Sequence, residues 1–315
     1  MASQRRIDSH HHIIPRFYEE AALAAGAAPT RGKFPEWSPQ LGIDLMDAND
    51  IQTAITSVCF PGVHFFPPAK ARKMARRCNE FSAELNARWP ERYGAFALVP
   101  MHNSKHAVEE IDYAFDTLNL DGVCLFTSYG EIFLGDPKFD PVLAALNDRN
   151  AVVFIHPAYD KKKISLPYPG FMLEYTFDTT RAATNLMFSG ALERFPRVRF
   201  ILSHAGGALP YLAWRLYVAP KTSSTIPQWS YEKILAGVRH FWYDTAMSAG
   251  PQMMACLYSV VGEERVVFGS DWPFAPEPVV TEAVKNLSAP DVYSAAKRAA
   301  MARGNALALF PRFGK

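Results

Sequence analysis

Five residues carry the chemistry that this chain advertises. His10, His12, His156, His204 and Asp271 each stand at the end of a short apolar run. In Asp8-Ser9-His10-His11-His12, alternate residues of a strand face the same side, so His10 and His12 project together. Two imidazoles spaced in this way can grip one divalent ion from a single rigid support. The same parity puts Asp8 on that side, where it is expected to orient a ligand from behind, and turns His11 to the opposite side in a structural role. Apolar flanks in RIDSHHHIIP distinguish the run from an expression tag.

His156 closes the apolar strand of VVFIHPA, His204 closes that of VRFILSHAGGALP, and Asp271 that of RVVFGSDWPF. A single histidine in such a position is usually a hydrogen-bonded core residue. Four separate strands that end in imidazole or carboxylate groups are what a parallel barrel, with its catalytic face at the strand C-termini, requires. A shared metal site is therefore expected.

The elements that must position these groups are legible as eight strand-like runs: Arg6 to His12, Thr53 to Cys59, Tyr93 to Val99, Asp121 to Phe126, Ala151 to His156, Val198 to His204, Phe241 to Ala246, and Arg265 to Asp271. Between them apolar residues return at helical spacing over Ala69 to Arg88, Lys105 to Thr117, Pro141 to Asn147 and Thr179 to Arg194. Strand and helix in alternation imply a parallel sheet. Eight such units in 315 residues predict one α/β domain over 1–315, a (β/α)8 TIM barrel. Long connections follow strands 1, 5 and 6, roughly Ile13 to Leu41, Tyr159 to Phe177 and Val218 to Tyr231. Phe34, Pro35, Trp37, Tyr168, Phe171, Tyr175 and Trp229 in them either line a pocket or pack the loops onto the barrel.

With 49% apolar and 20% charged residues, the chain can bury a large core. A net charge of +2 without a basic stripe argues against a nucleic-acid partner. No apolar stretch is long enough for a signal h-region or a membrane span, so a cytoplasmic protein is expected. Cys59, Cys78, Cys124 and Cys256 lack CxxC spacing and read as reduced, mostly buried thiols. Nothing around Cys124 marks it as a nucleophile.

Over nearly its whole length the sequence resembles the amidohydrolase superfamily, in the branch of aminocarboxymuconate semialdehyde decarboxylase and related aromatic acid decarboxylases. The resemblance rests on IDSHHHIIP, the stretch from Leu45-Met46-Asp47 into TAITSV, FIHPA, DTTRAATNLMFSGALERFP, FILSHAGGALPYLAWR, FWYDTA and FGSDWPF. It implies a distorted TIM barrel with one divalent ion, zinc or alternatively manganese, held by His10, His12, His156 and Asp271, and with His204 as an acid/base beside it. Binuclear members carry a carboxylated lysine on the fourth strand. GVCLFTS offers none, so a mononuclear site is expected.

The resemblance further implies a homodimer in which Arg215 reaches the neighbour's pocket to bind a substrate carboxylate, a task suited to a planar guanidinium. An ordinary surface salt bridge is the competing reading of Arg215. Arg31 and Phe171 are further candidates for substrate contact, and Gly42 stands where the muconate enzyme has arginine. The implied reaction is non-oxidative decarboxylation of a small aromatic or unsaturated carboxylic acid, with a salicylate-type ring such as a methylsalicylate favoured. Either Asp271 or His204 could supply the proton. Hydrolysis of a lactone or another activated carbonyl is the alternative enzyme reading, and a non-catalytic metal-binding scaffold the third. Ligands must be deprotonated to hold a metal, so activity is expected to fall in acid.

Overall fold

The computed structural model describes residues 4–29, 32–58, 60–158 and 167–314. Its centre is one eight-stranded sheet of parallel neighbours: β1 (Arg6–Ile13), β2 (Ile51–Val58), β3 (Tyr93–Leu98), β4 (Gly122–Phe126), β5 (Val152–His156), β6 (Arg199–Leu202), β7 (Trp242–Asp244) and β8 (Val266–Val267). Chain order and spatial order coincide, as they do in a (β/α)8 barrel. The ends meet where Ser9 N–H donates to Phe268 O (2.9 Å), Asp271 N–H to His10 O (2.8 Å) and His12 N–H to Trp272 O (2.7 Å).

Every strand sends an apolar side chain into the barrel: Ile7, Ile55, Phe96, Cys124, Phe154, Ile201, Trp242 and Val267 form one buried cluster. Ala306, Leu309, Phe310 and Phe313 join it from the C-terminal segment. A second cluster holds the outward strand residues against the helices. Full burial of one such phenylalanine is worth about 1.5–3 kcal/mol, so this lower plug gives the site above it a rigid floor.

The helices are α1 (Arg16–Ala24), α2 (Pro39–Ala48), α3 (Pro68–Arg88), α4 (Ser104–Asp116), α5 (Asp140–Asp148), α6 (Glu174–Phe188), α7 (Ala191–Arg194), α8 (Leu209–Val218), α9 (Tyr231–His240), α10 (Pro251–Val260), α11 (Glu277–Leu287), α12 (Ala295–Ala299) and α13 (Asn305–Leu309). Local chemistry starts them: Ser38, Asn103 and Ser230 accept from the backbone N–H groups of Leu41, His106 and Lys233.

The structure differs from the sequence reading in several places. The connection after β1 contains α1, whose Tyr18 and Ala22 are buried. The segment read as one helix over Thr179 to Arg194 begins at Glu174 and breaks at Gly190, whose φ of 74° lies in the left-handed region. The last three strands are shorter than their apolar runs. After β8 the chain bends through Gly269 and Ser270 to Asp271, at φ 63°, and lies along β1 outside regular sheet pairing.

Candidate metal centre and active site

A break in the register of β1 sets the first two imidazoles. Pairing with β2 shifts between Asp8 and His11. Ile7 points into the barrel, and His10 and His12 do so as well, so the inward phase advances by three residues across this irregularity. Simple alternation therefore misplaces Asp8. Its carboxylate accepts from the His10 backbone N–H (3.1 Å), from Ser270 Oγ (2.6 Å) and N–H (3.0 Å), and lies 3.0 Å from His11 Nδ1. Asp8 ties β1 to the β8 exit and does not touch the rings of His10 or His12. His11 stands apart from them, against Trp272 at 4.9 Å between ring centroids.

One ligand atom each from His10, His12, His156 and Asp271 falls within a span of 4.8 Å. His10 Nε2 and His12 Nε2 are 3.1 Å apart, and Asp271 Oδ1 is 3.3 Å and 3.2 Å from them. Lone pairs of buried nitrogen and oxygen atoms thus converge on one point, an arrangement that needs a cation to be stable. The opposite nitrogen of each histidine is already engaged. His10 Nδ1 meets Asp244 Oδ2 at 2.7 Å, His12 Nδ1 meets Ser57 Oγ at 3.0 Å, and His156 Nδ1 meets Pro157 O at 2.9 Å. Outer partners of this kind fix the tautomer and turn Nε2 inward. The donor set therefore fits a single divalent ion.

Electrostatics agree. Burial opposes a charged His10, yet the carboxylates of Asp244 and Asp271 outweigh it and lift the imidazole to about 10. Burial holds His156 well below the ordinary histidine value, with His12 and His10 adding to the effect, and burial lowers His12 also. Asp271 is held well below the usual carboxylate range because His10, His12 and His204 outweigh the opposing burial.

His204 lies beside this cluster, with Nε2 3.6 Å from Asp271 Oδ2. It opens four consecutive residues of positive φ, His204 (55°), Ala205 (54°), Gly206 (71°) and Gly207 (62°). Two of them are not glycine, and such strain persists where the surroundings impose it. Here Asp244 Oδ1 accepts from His204 N–H at 2.9 Å. A Cβ at Gly207 would run into the carbonyl oxygen of Thr176.

Asp244 is the residue that sequence reasoning missed. It ends the strand of FWYDTA as the other site residues end theirs, and that shared position was the signal. The Asp178-Thr179-Thr180 run of α6 forms a second unanticipated device. Asp178 accepts from Thr127 Oγ1 and from Ala158 N–H (3.0 Å), Thr179 Oγ1 meets Ser203 Oγ (3.3 Å), and Thr180 Oγ1 accepts from Ala208 N–H (2.8 Å). One helix thereby braces the exits of the strands that carry His156 and His204.

A cavity of about 340 Å³ opens above His156, His204 and Asp271. Phe60, Phe171, Tyr175 and Phe274 supply aromatic walls. Phe171 and Tyr175 thus reach the pocket, as the sequence reading allowed. Phe34, Trp37 and Trp229 serve packing, against Tyr18, Phe81 and Phe188 respectively. Tyr168 is exposed and stands away from the cavity lining. Arg31 lies outside the described residues. Arg215 is exposed on α8, does not line its own chain's cavity, and pairs with no carboxylate among the described residues. At Gly42 a Cβ would sit 2.5 Å from Tyr93 Oη, so this chain has no room for an arginine there. Cys78 and Cys124 are free and buried, and Cys256 is free and partly buried; Cys59 lies outside the described residues. No described helix is long and apolar enough to cross a membrane.

Barrel, strand-end histidines and converging donors define a metal-dependent TIM-barrel protein. The amidohydrolase family profile matches residues 7–312, and the chain belongs to that family. It is 38% identical to a 6-methylsalicylic acid decarboxylase of Penicillium expansum, over 98% of this chain and 96% of that protein. It is 28% identical to a gamma-resorcylate decarboxylase of Rhizobium radiobacter, over 74% of this chain and 76% of the relative. The fold superposes on a 2,6-dihydroxybenzoate decarboxylase crystallised with 2,6-dihydroxybenzoate, with a TM-score of 0.79 and 25% identity, covering 97% of this chain and 99% of the other.

Proposed function

We propose that the chain is a divalent-metal-dependent carboxy-lyase that removes carbon dioxide, without oxidation, from a salicylate-type aromatic acid such as a methylsalicylate. The observation that carries this reading is the convergence of His10, His12, His156 and Asp271 at the floor of an aromatic-walled cavity, with His204 at its side. The similarity to a 6-methylsalicylic acid decarboxylase over nearly the whole chain supports it.

His10, His12, His156 and Asp271 would hold the ion, zinc in the first instance with manganese as the alternative, since imidazole and carboxylate donors suit both. An ion held there would supply Lewis-acid stabilisation of the negative charge on a bound aromatic acid. Phe274 packs against His12 at 5.5 Å between ring centroids, and Tyr175 lies 6.2 Å from His156 and 6.4 Å from His204, so a flat ring enters between aromatic faces. The Asp271 and His204 pair, joined at 3.6 Å, delivers a proton to the ring carbon that bears the carboxylate. A carbon–hydrogen bond forms as the carbon–carbon bond breaks. Its electron pair returns to the ring, and carbon dioxide leaves. The apolar walls keep water away from the charged step.

A homodimer belongs to the same proposal. Tyr211 and Trp214 are largely exposed on α8 beside Arg215, a composition enriched at interfaces. The free, buried Cys78 and Cys124 fit a reducing cytoplasm.

The deciding experiment is metal analysis of untagged protein joined to a carbon dioxide release screen over hydroxybenzoates and methylsalicylates, with lactones assayed in parallel. One ion per subunit with carbon dioxide release is expected. One ion with lactone opening alone would move the protein to the hydrolases.

A further inference from the structure

We infer that the cavity accepts a ring bearing an alkyl chain longer than methyl, and that Met172, Met247 and Met253 form the subsite for that chain. The inference rests on the decarboxylase reading of the same cavity. His156, His204 and Asp271 make its inner end polar, whereas three thioethers from three separate segments stand on its outer wall: Met172 before α6, Met247 after β7 and Met253 in α10. A hydrocarbon chain is the substituent such a wall recognises, because methionine is unbranched, polarisable and able to follow an irregular apolar outline.

Size points the same way. A cavity of about 150 Å³ encloses a bare benzene ring. The volume here is about 340 Å³, which leaves space beyond a ring with a carboxyl and a hydroxyl group. The three methionines are also 57%, 47% and 42% exposed, large values for apolar side chains. Met247 is held at φ 52°, a backbone conformation that an unbranched apolar residue seldom adopts, while Ser248 N–H donates to Thr245 O at 3.1 Å in the same turn. A strained residue kept at a pocket wall is a pointer to function. A chain leaving the ring away from the metal ligands would cover the thioethers and withdraw both surfaces from water.

The test takes the metal-loaded enzyme and the methylsalicylate isomer it decarboxylates best, then lengthens that methyl group to propyl, pentyl and heptyl. KM is expected to fall by about fourfold for each methylene seated against the methionines, levelling off once the chain clears the rim. Binding of the corresponding alkylphenols, followed by calorimetry, is expected to tighten in the same order without any turnover. In Met247→Ser and Met253→Ser variants the pentyl-to-methyl ratio of kcat/KM is expected to collapse toward one. Longer chains that bind no better than methyl, or variants that keep the wild-type ratio, would overturn the subsite. Loss of turnover across the whole series, with alkylphenols still ranked by chain length, would overturn the decarboxylase reading and leave the subsite standing.

Discussion

Asp244 holds two site histidines at once: Oδ2 lies 2.7 Å from His10 Nδ1, and Oδ1 accepts from the His204 backbone N–H at 2.9 Å. Both Asp244 and His10 are fully buried. One carboxylate at the end of β7 therefore orients a ring that belongs to the candidate metal cluster and fixes the strained turn that presents His204, the proposed acid/base.

Removing that carboxylate should weaken both functions. Asp244→Asn keeps the shape but loses the charge that aligns His10, and metal affinity is expected to fall by about 10–100-fold, the usual effect of losing such an outer partner. Competition with a fluorescent chelator measures it. A variant with unchanged affinity and unchanged turnover would leave Asp244 without the role assigned to it.

His156 and His204 should separate cleanly. His156→Ala removes a donor and is expected to strip the metal. His204→Ala is expected to keep the metal and lose about 10²–10⁴-fold in kcat, the range of general acid–base catalysis. Metal content after dialysis and carbon dioxide release distinguish the two, and full metal with full activity in both variants would refute the site.

Protons and metal compete for the same lone pairs. His10 is raised to about 10 from an unfolded value of 6.5, so in metal-free protein its contribution to stability is complete below pH 6.5 and is lost as pH rises through about 10. Asp271 is depressed below 3.8, so its contribution is present above that pH and is lost as pH falls through its lowered value. Between these limits the ion has to displace a proton, and its affinity is expected to rise by about tenfold per pH unit. Metal titrations at pH 6, 7 and 8 test the slope. A flat response would show that no buried imidazole proton is displaced.

Phe154 should matter to stability more than to chemistry. Its ring is fully buried, 4.7 Å from His10 and stacked 5.4 Å from Phe96. Phe154→Ala is expected to cost about 3–5 kcal/mol, read by denaturant unfolding of the metal-free protein. A loss under about 1 kcal/mol would mean that the barrel floor tolerates a void, against the behaviour of close-packed cores.

Gly207 tests the strained turn. Gly207→Ala places a Cβ against Thr176 O at a φ of 62°, and such conformations cost about 1–3 kcal/mol in residues other than glycine. Reduced stability is expected together with reduced turnover, because the displaced Thr176 lines the cavity and His204 begins the turn. Wild-type melting and kinetics would show that the turn is not tightly held.

Much of the fold was legible because its signals are local. An apolar run that stops at a histidine marks a strand end, and α3, α4 and α5 lie within about one residue of the helical spacing that announced them. Less local features escaped. The phase of β1 depends on its pairing with β2, so parity assigned Asp8 to the wrong partner. The path from β8 to Asp271 is set by hydrogen bonds to β1, far away in sequence, and an apolar run cannot announce those.

By itself, the sequence determined the alternation of strands and helices and the placing of imidazole and carboxylate groups at strand ends, since both follow from periodicity and residue type along the chain. Tertiary structure alone decided that donors more than 250 positions apart meet within 4.8 Å, that Asp244 stands behind His10, and that Phe171 and Tyr175 face the cavity while Trp37 and Trp229 pack elsewhere. The physical reason is closure of the barrel. Curvature of the sheet, the irregularity in β1 and the bracing of loops by α6 emerge from contacts between segments, and those contacts exist only once the ring of strands is complete.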